Sequence, residues 1–301
     1  MSVNVAQIRQ SRCVVRVLKS RPTPRAPDWW VRTAKKDLHL AQGWFRQSGV
    51  ISSHPPEGNS NRWAADHYPS EKRNMPTSSL ITIALISLAS IFLIVSGIRR
   101  KPYLGIILSV ILIVIAARRG ETSFAQMGLV PSDNWLSTVL LGLLIGGGLS
   151  LLFIILIEPL IENITKQPHD VSVVAGVRGN WKALLSWLVL IWGPVAFGEE
   201  VIYRGFLMSQ IIKLLGTSLL ALLLNVLITS IIFGLSHSYQ GRSGPWTTGI
   251  IGACLGVIYI LSGFNLWLPI LVHGVIDTVE LIVISLGADK RLRELVWVKP
   301  Q

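Results

Sequence analysis

Beyond residue 79 the hydrophobic positions of this chain run together instead of alternating. Residues 80–98 are apolar for long enough to cross ~30 Å of hydrocarbon at ~1.5 Å rise per residue, and Arg99, Arg100 and Lys101 close the run. A shorter apolar run, 103–117, ends at Arg118 and Arg119. A third, 136–157, carries Gly146, Gly147 and Gly148, residues small enough to let helices approach closely. A polar loop is expected over 158–181. Apolar runs then follow at 182–197 (interrupted by Gly193 and Pro194), 214–233, 246–261 and 267–286. The pattern predicts an all-α, polytopic membrane helical bundle of seven to eight transmembrane helices. Trp135, Trp181, Trp246 and Trp267 fall at the run ends, where tryptophan favours the membrane interface.

Residues 1–75 follow no such pattern. They hold six prolines, four tryptophans and no sustained period of 2 or 3.6. Residues 1–74 carry 13 Lys and Arg against 5 Asp and Glu, a net +8 out of +12 for the whole chain. The segment reads as a disordered basic extension or as sequence ahead of a start at Met75, with an organelle-targeting segment as the third reading. The expected organisation is therefore 1–75 as extension, 76–180 as N-terminal membrane helices, 181–289 as a polar-centred membrane core, and 290–301 as a polar tail.

Charge changes the picture in two ways. The basic surplus is not spread over a folded module, so nucleic acid is not an expected partner; the expected partner of the surface is the lipid bilayer. Orientation stays open, because 99–101 and 118–119 flank one short run and the positive-inside rule cannot satisfy both if that run crosses. Cys13 and Cys254 form neither a disulfide framework nor a CxxC pair.

The ionisable residues that interrupt the apolar half carry the chemistry. An ionisable group at membrane depth is costly and marks a functional site by default. These are Glu199, Glu200 and Arg204 in GEEVIYRGFL, His237 in FGLSHS, and His273 and Asp277 in LVHGVIDTVE. Glu200 and Arg204 are four apart and share a helix face, so they are expected to pair. Glu199 is rotated by ~100° from that face and has Tyr203, not a cation, four residues on. It is the freer carboxylate. His273 and Asp277 repeat the spacing, as do Phe233 and His237; Phe233 is expected to pack, and His169, in the polar loop, to be solvated. One carboxylate and two imidazoles at membrane depth suit hydrolysis. The glutamate would activate water, while the histidines would orient it, bind a metal or stabilise an oxyanion. There is no HExxH and no GxSxG. Asp277 has no second membrane aspartate to form a dyad, and no GxGxxG or P-loop occurs. A small transporter would call for paired broken-helix repeats, which are not seen.

At these residues the chain resembles the CPBP (Abi) family, the CAAX-protease and bacteriocin-processing intramembrane peptidases. The resemblance rests on EExxxR at Glu199–Glu200–Arg204, FxxxH at Phe233–His237 and HxxxD at His273–Asp277, in that order. It covers about residues 180–285. It implies an integral, multi-pass membrane endopeptidase, with the plasma membrane of a prokaryote as the expected location. Its substrate would be a peptide or lipidated protein. Glu199 matches the water-activating glutamate, Glu200 and Arg204 its supporting pair, and His237, His273 and Asp277 the polar groups facing it. Two mechanisms stay open at this point. One uses a divalent metal such as zinc on His237 and His273; the other uses glutamate as base without metal. Asp277 stands where asparagine is the alternative, and as an anion it is a poor oxyanion partner. The alternative function is a non-catalytic family member, acting as a membrane scaffold or bacteriocin-immunity protein.

Overall fold

The computed structural model describes residues 75–289, with side chains from Ser79 onward. The expectations for residues 1–74, Cys13 among them, and for 290–301 lie outside the described residues. Among the described residues there are seven long helices and no strand: α1 (Met75–Ile98), α2 (Pro102–Arg118), α3 (Trp135–Thr165), α4 (Trp181–Leu215), α5 (Leu219–Ser236), α6 (Gly244–Leu261) and α7 (Trp267–Ser285). Six are long and apolar enough to span a membrane, and α2, with 17 residues, is the short one. The bundle is the expected all-α membrane fold.

Local chemistry sets the helix starts. Asn134, Asn180 and Ser218 accept hydrogen bonds from the backbone N–H groups of Ser137, Ala183 and Ala221, capping α3, α4 and α5. Pro245 opens α6 in the first turn, where its missing N–H is not needed.

Three boundaries differ from the sequence expectation, each for a physical reason. Helix α3 continues through a π-helical turn at Phe153–Ile157 and on to Thr165, so the first third of the expected polar loop is helical. Helix α4 does not stop near residue 197. It passes π-helical turns at Ile191–Val195, around Pro194, and at Val201–Met208, and ends at Leu215. Proline removes one ladder donor there, and the wider turn absorbs the defect without ending the helix. The break before α5 falls at Gly216, whose φ of 76° suits glycine and not an L side chain. Hydropathy placed that break too early because Leu214 and Leu215 are apolar.

Contacts sort the connections into two ends of the bundle. At one end the α1–α2 turn meets the α5–α6 turn and the α3–α4 loop. Arg100 lies 3.7 Å from Asp170, and the Asp170 N–H donates to the Gln240 carbonyl at 3.0 Å. Two hydrogen bonds from Ser172 hold the Asp170 carboxyl below its ordinary range, keeping it charged for this contact. The Gly179 N–H reaches the Ser285 carbonyl at the same end, and Arg178 forms a two-pronged pair with Asp289. At the other end, Lys213 donates to the Glu121 carbonyl, Leu266 donates to Gly128, and Trp135 stacks edge-on against Trp267.

Lipid is as apolar as leucine, so apolar area alone cannot hold these helices together, and close fit has to. Small residues supply it. Gly142, Gly146 and Ser150 make one face of α3 against α7; a Cβ on Gly142 or Gly146 would fall 2.7 Å from Leu271 or Val275. Gly147 and Gly148, read from sequence as sharing that role, face open space. Gly97 of α1 sits so close to α5 that any Cβ would meet the Ser236 carbonyl, and Gly234 of α5 bears on Pro245 of α6 in the same way. Helix α7 is the most enclosed span, with 56% of its window buried against 28% for α3 and α4. The bundle closes around it.

Two outcomes follow from this arrangement. Gly146→Ala is expected to lower stability in detergent by about 1–3 kcal/mol, the usual range for overpacking, while Gly147→Ala leaves the melting temperature unchanged; equal effects would mean that α3 does not pack on α7 through this face. The described loops at the Asp170 end carry Arg99, Arg100, Lys101, Lys166, Arg178 and Arg242, against Arg118, Arg119 and Lys213 at the other end. From this asymmetry the positive-inside rule predicts that the Asp170 end faces the cytoplasm. In vesicles of known sidedness, a cysteine replacing Lys166 should react with an impermeant maleimide from the cytoplasmic side and one replacing Gln126 from the opposite side, the reverse pattern refuting the assignment.

Candidate active site

The polar residues inside the bundle meet on α4, α5 and α7. Arg204 is 1% exposed and is held on three sides. Its Nη1 donates to Glu200 Oε1 at 2.6 Å and its Nη2 to the Gly252 carbonyl of α6 at 2.8 Å. Its guanidinium also lies over the Phe233 ring, 4.8 Å from the centroid. Glu200 is fully buried, and the same Oε1 accepts a second hydrogen bond at 2.8 Å, from His273 Nδ1 on α7. The expected i,i+4 pair is thus present and is extended by an imidazole from another helix.

Glu199 is one residue away and differently placed. Its Oε2 is buried and has no hydrogen-bond partner, with His237 Nε2 at 3.9 Å. It opens on a small cleft of ≈ 10 Å³, about the room one water needs. Leu93 and Ser96 of α1, Pro102 and Ile106 of α2, and Tyr203 of α4 line this cleft with Glu199. Ser236, His237 and Tyr239, at the end of α5, complete it. The rotation of Glu199 off the Glu200 face, read from helical spacing, is what frees it.

His237 is the C-cap of α5, yet it is only 8% exposed. The loop after α3 packs against the α5–α6 turn, which leaves Arg242 exposed but encloses His237. Gly241, with φ of 86°, approaches Pro168 and Asp170 there. The Phe233 ring lies between the two imidazoles, 4.6 Å from the His237 ring and 6.0 Å from that of His273. Phe233 packs, as expected, at the centre of the cluster. His169 departs from its expected solvation: it is half-buried in the covering loop, and its N–H donates to Glu162.

Hydrogen bonds fix the imidazole tautomers. His237 Nδ1 lies 2.7 Å from the Phe233 carbonyl, which only accepts, so Nδ1 carries the proton and Nε2 presents a lone pair towards Glu199. Ser236 Oγ, 3.1 Å from the same Nδ1, receives the Tyr203 hydroxyl at 2.7 Å and itself donates to the Phe233 carbonyl. His273 Nδ1 donates to Glu200, and its Nε2 faces Asp277 Oδ2 at 3.5 Å. The two Nε2 atoms therefore face different carboxylates. Among the described residues no three His, Cys, Asp or Glu side chains are grouped as metal ligands would be. The donor set does not fit a zinc ion held by His237 and His273.

All six residues singled out by sequence, Glu199, Glu200, Arg204, His237, His273 and Asp277, fall in one cluster. Tyr203, Ser236, Tyr239 and the α1–α2 wall were not read as part of it. Tyr203 was visible four residues after Glu199, and Ser236 and Tyr239 flank His237; the contribution of α1 and α2 had no local signal. A family model described as Type II CAAX prenyl endopeptidase Rce1-like matches residues 180–279. No curated protein and no solved structure matches the chain.

Arg204→Ala is expected to cost about 3–5 kcal/mol, the range for removing one partner of a buried pair, read as lost folded yield in detergent. Adding Glu200→Gln should recover part of that yield, since no uncompensated charge then stays buried. An unchanged yield in the single variant would show that the pair is not a buried support.

Proposed function

We propose, from the match of residues 180–279 to a Type II CAAX prenyl endopeptidase Rce1-like family model, that the chain is an integral-membrane endopeptidase in which Glu199 activates water. The observation that carries the reading is the contrast between the two glutamates. Glu200 is locked by Arg204 and His273, whereas Glu199 turns an unpartnered buried oxygen onto a water-sized cleft. A general base needs such an oxygen within reach of its water.

In the proposed reaction Glu199 takes a proton from the water, and the hydroxide adds to the scissile carbonyl carbon. The tetrahedral intermediate collapses, the C–N bond breaks, and Glu199 returns its proton to the leaving amine. His237 presents its Nε2 lone pair beside Glu199 and orients the water by accepting its second proton in a hydrogen bond. Arg204 and Glu200 hold His273 in place from below. None of these steps requires a metal.

The cleft wall suggests the substrate. Leu93, Pro102 and Ile106 are apolar and belong to the outer pair α1 and α2, so an apolar chain can reach Glu199 while staying in lipid. A lipidated C-terminal peptide, the substrate class of the family, has that chemistry.

Purified protein in liposomes is expected to cleave a farnesylated peptide ending in a CAAX sequence, and to keep doing so in excess chelator. Glu199→Gln should insert normally and lose at least 10²-fold in rate, the lower range for a lost general base. Turnover above a tenth of wild type in that variant would remove Glu199 from the role. An intact, folded chain that cleaves no peptide in a membrane-wide peptidome comparison would instead support the scaffold reading.

A further inference from the structure

An oxyanion needs a hydrogen-bond donor, and the groups expected to supply one in this site are already committed. His237 spends its Nδ1 proton on the Phe233 carbonyl, and His273 turns its Nδ1 to Glu200 and its Nε2 to Asp277, so neither ring directs an N–H into the cleft. Asp277 is a carboxylate where a donor amide would serve. Of the hydroxyls lining the cleft, Ser96 donates to Leu93, Ser236 to Phe233, and Tyr203 to Ser236. Tyr239 is different. It lines the same cleft as Glu199, its ring is 5.6 Å from that of His237, and its hydroxyl has no hydrogen bond among the described residues.

Building on the endopeptidase reading, we propose that Tyr239 is a further catalytic residue, whose phenol O–H stabilises the oxyanion formed when hydroxide adds to the substrate carbonyl. As the C=O pair moves onto oxygen, the phenol donates a hydrogen bond to it. When the pair returns and the C–N bond breaks, the phenol keeps its proton, and the proton on Glu199 leaves with the amine. No net transfer involves Tyr239. Burial, helped by the nearby carboxylates of Glu199, Asp277 and Glu280, pushes the phenol up and holds it in the neutral donor form. His237 faces the phenol from its own turn, and its Nδ1 proton is spent on the backbone.

The turn that carries Tyr239 is held in position for this. The Gln240 N–H donates to the His237 carbonyl, and the Gln240 carbonyl accepts from Asp170 in the covering loop. A donor fixed before the charge develops needs no reorganisation at the moment of reaction, which is what makes such donors effective.

The test is Tyr239→Phe, which keeps the ring and removes only the hydroxyl, assayed on the farnesylated CAAX peptide in liposomes. The expected result is a fall in kcat of about 10²–10³, as for loss of one oxyanion donor, with KM within about threefold. In the Glu199→Gln background the same change should leave peptide affinity unaltered, while in the otherwise native chain it should weaken binding of a peptide phosphonate that mimics the tetrahedral state. A kcat within threefold of wild type, or a change confined to KM, overturns the assignment and leaves the endopeptidase reading standing. Absence of cleavage by the folded wild-type chain overturns both.

Discussion

The polar centre of this bundle depends on one buried carboxylate oxygen. Glu200 Oε1 receives Arg204 from the same helix and His273 from α7, and Arg204 in turn reaches the backbone of α6. Three helices are tied by groups that none could bury alone. In hydrocarbon an isolated guanidinium or carboxylate is costly, and the cost falls only when the partners come from neighbouring helices at the right depth. The pair therefore acts as a registration device: α4, α6 and α7 cannot slide past one another without stranding a charge. Small residues permit the same register by steric means. Gly252, whose carbonyl Arg204 reaches, lets α6 approach the Phe233 ring, and Gly142 and Gly146 seat α3 against α7.

Locking Glu200 has a second consequence. Adjacent positions on a helix point ~100° apart, so the residue next to a fixed one is aimed without being bound. Glu199 faces the cleft for this reason, and the π-helical turn that follows at Val201–Met208 does not disturb it. One side chain is locked and its neighbour is left with an unpartnered oxygen. The aromatic ring of Phe233 lies among Arg204, His237, His273 and Tyr203 and fills the space between them.

The sequence made most of this centre legible. Ionisable residues in apolar runs stand out because hydrocarbon penalises them, and the i,i+4 spacing sorted Glu200 with Arg204 and His273 with Asp277 before any coordinates were needed. The class of fold was equally plain from run lengths. What hydropathy could not resolve were places where polarity and helix ends part company. Glu199, Glu200 and Arg204 looked like the edge of a span because a paired charge and an unpaired one read alike in a sum; the helix instead continues to Leu215. Gly147 and Gly148 read like Gly146, since which glycine meets a neighbour depends on a partner helix more than 120 residues away. The covering loop over His237 had no local signature at all, because Asp170 and Gln240 meet through backbone groups.

That loop accounts for the burial of a histidine at a helix terminus. A helix end in hydrocarbon exposes unpaired carbonyls, and these must be satisfied within the protein. Here the turn after α5 folds back on itself, with Gln240 bonding His237 and the Asp170 N–H bonding Gln240. The end of α5 is then satisfied within the protein at little cost, and His237 and Tyr239 line the cleft with Glu199. The basic residues of the α1–α2 turn complete the cover through Arg100 and Asp170. Helix α1 lies against α5 at Gly97 and Ser236, one turn from the cleft wall at Leu93. The segments outside the family-matched region are therefore part of the site's enclosure: Leu93 of α1 and Pro102 and Ile106 of α2 form the apolar wall of the cleft onto which Glu199 opens.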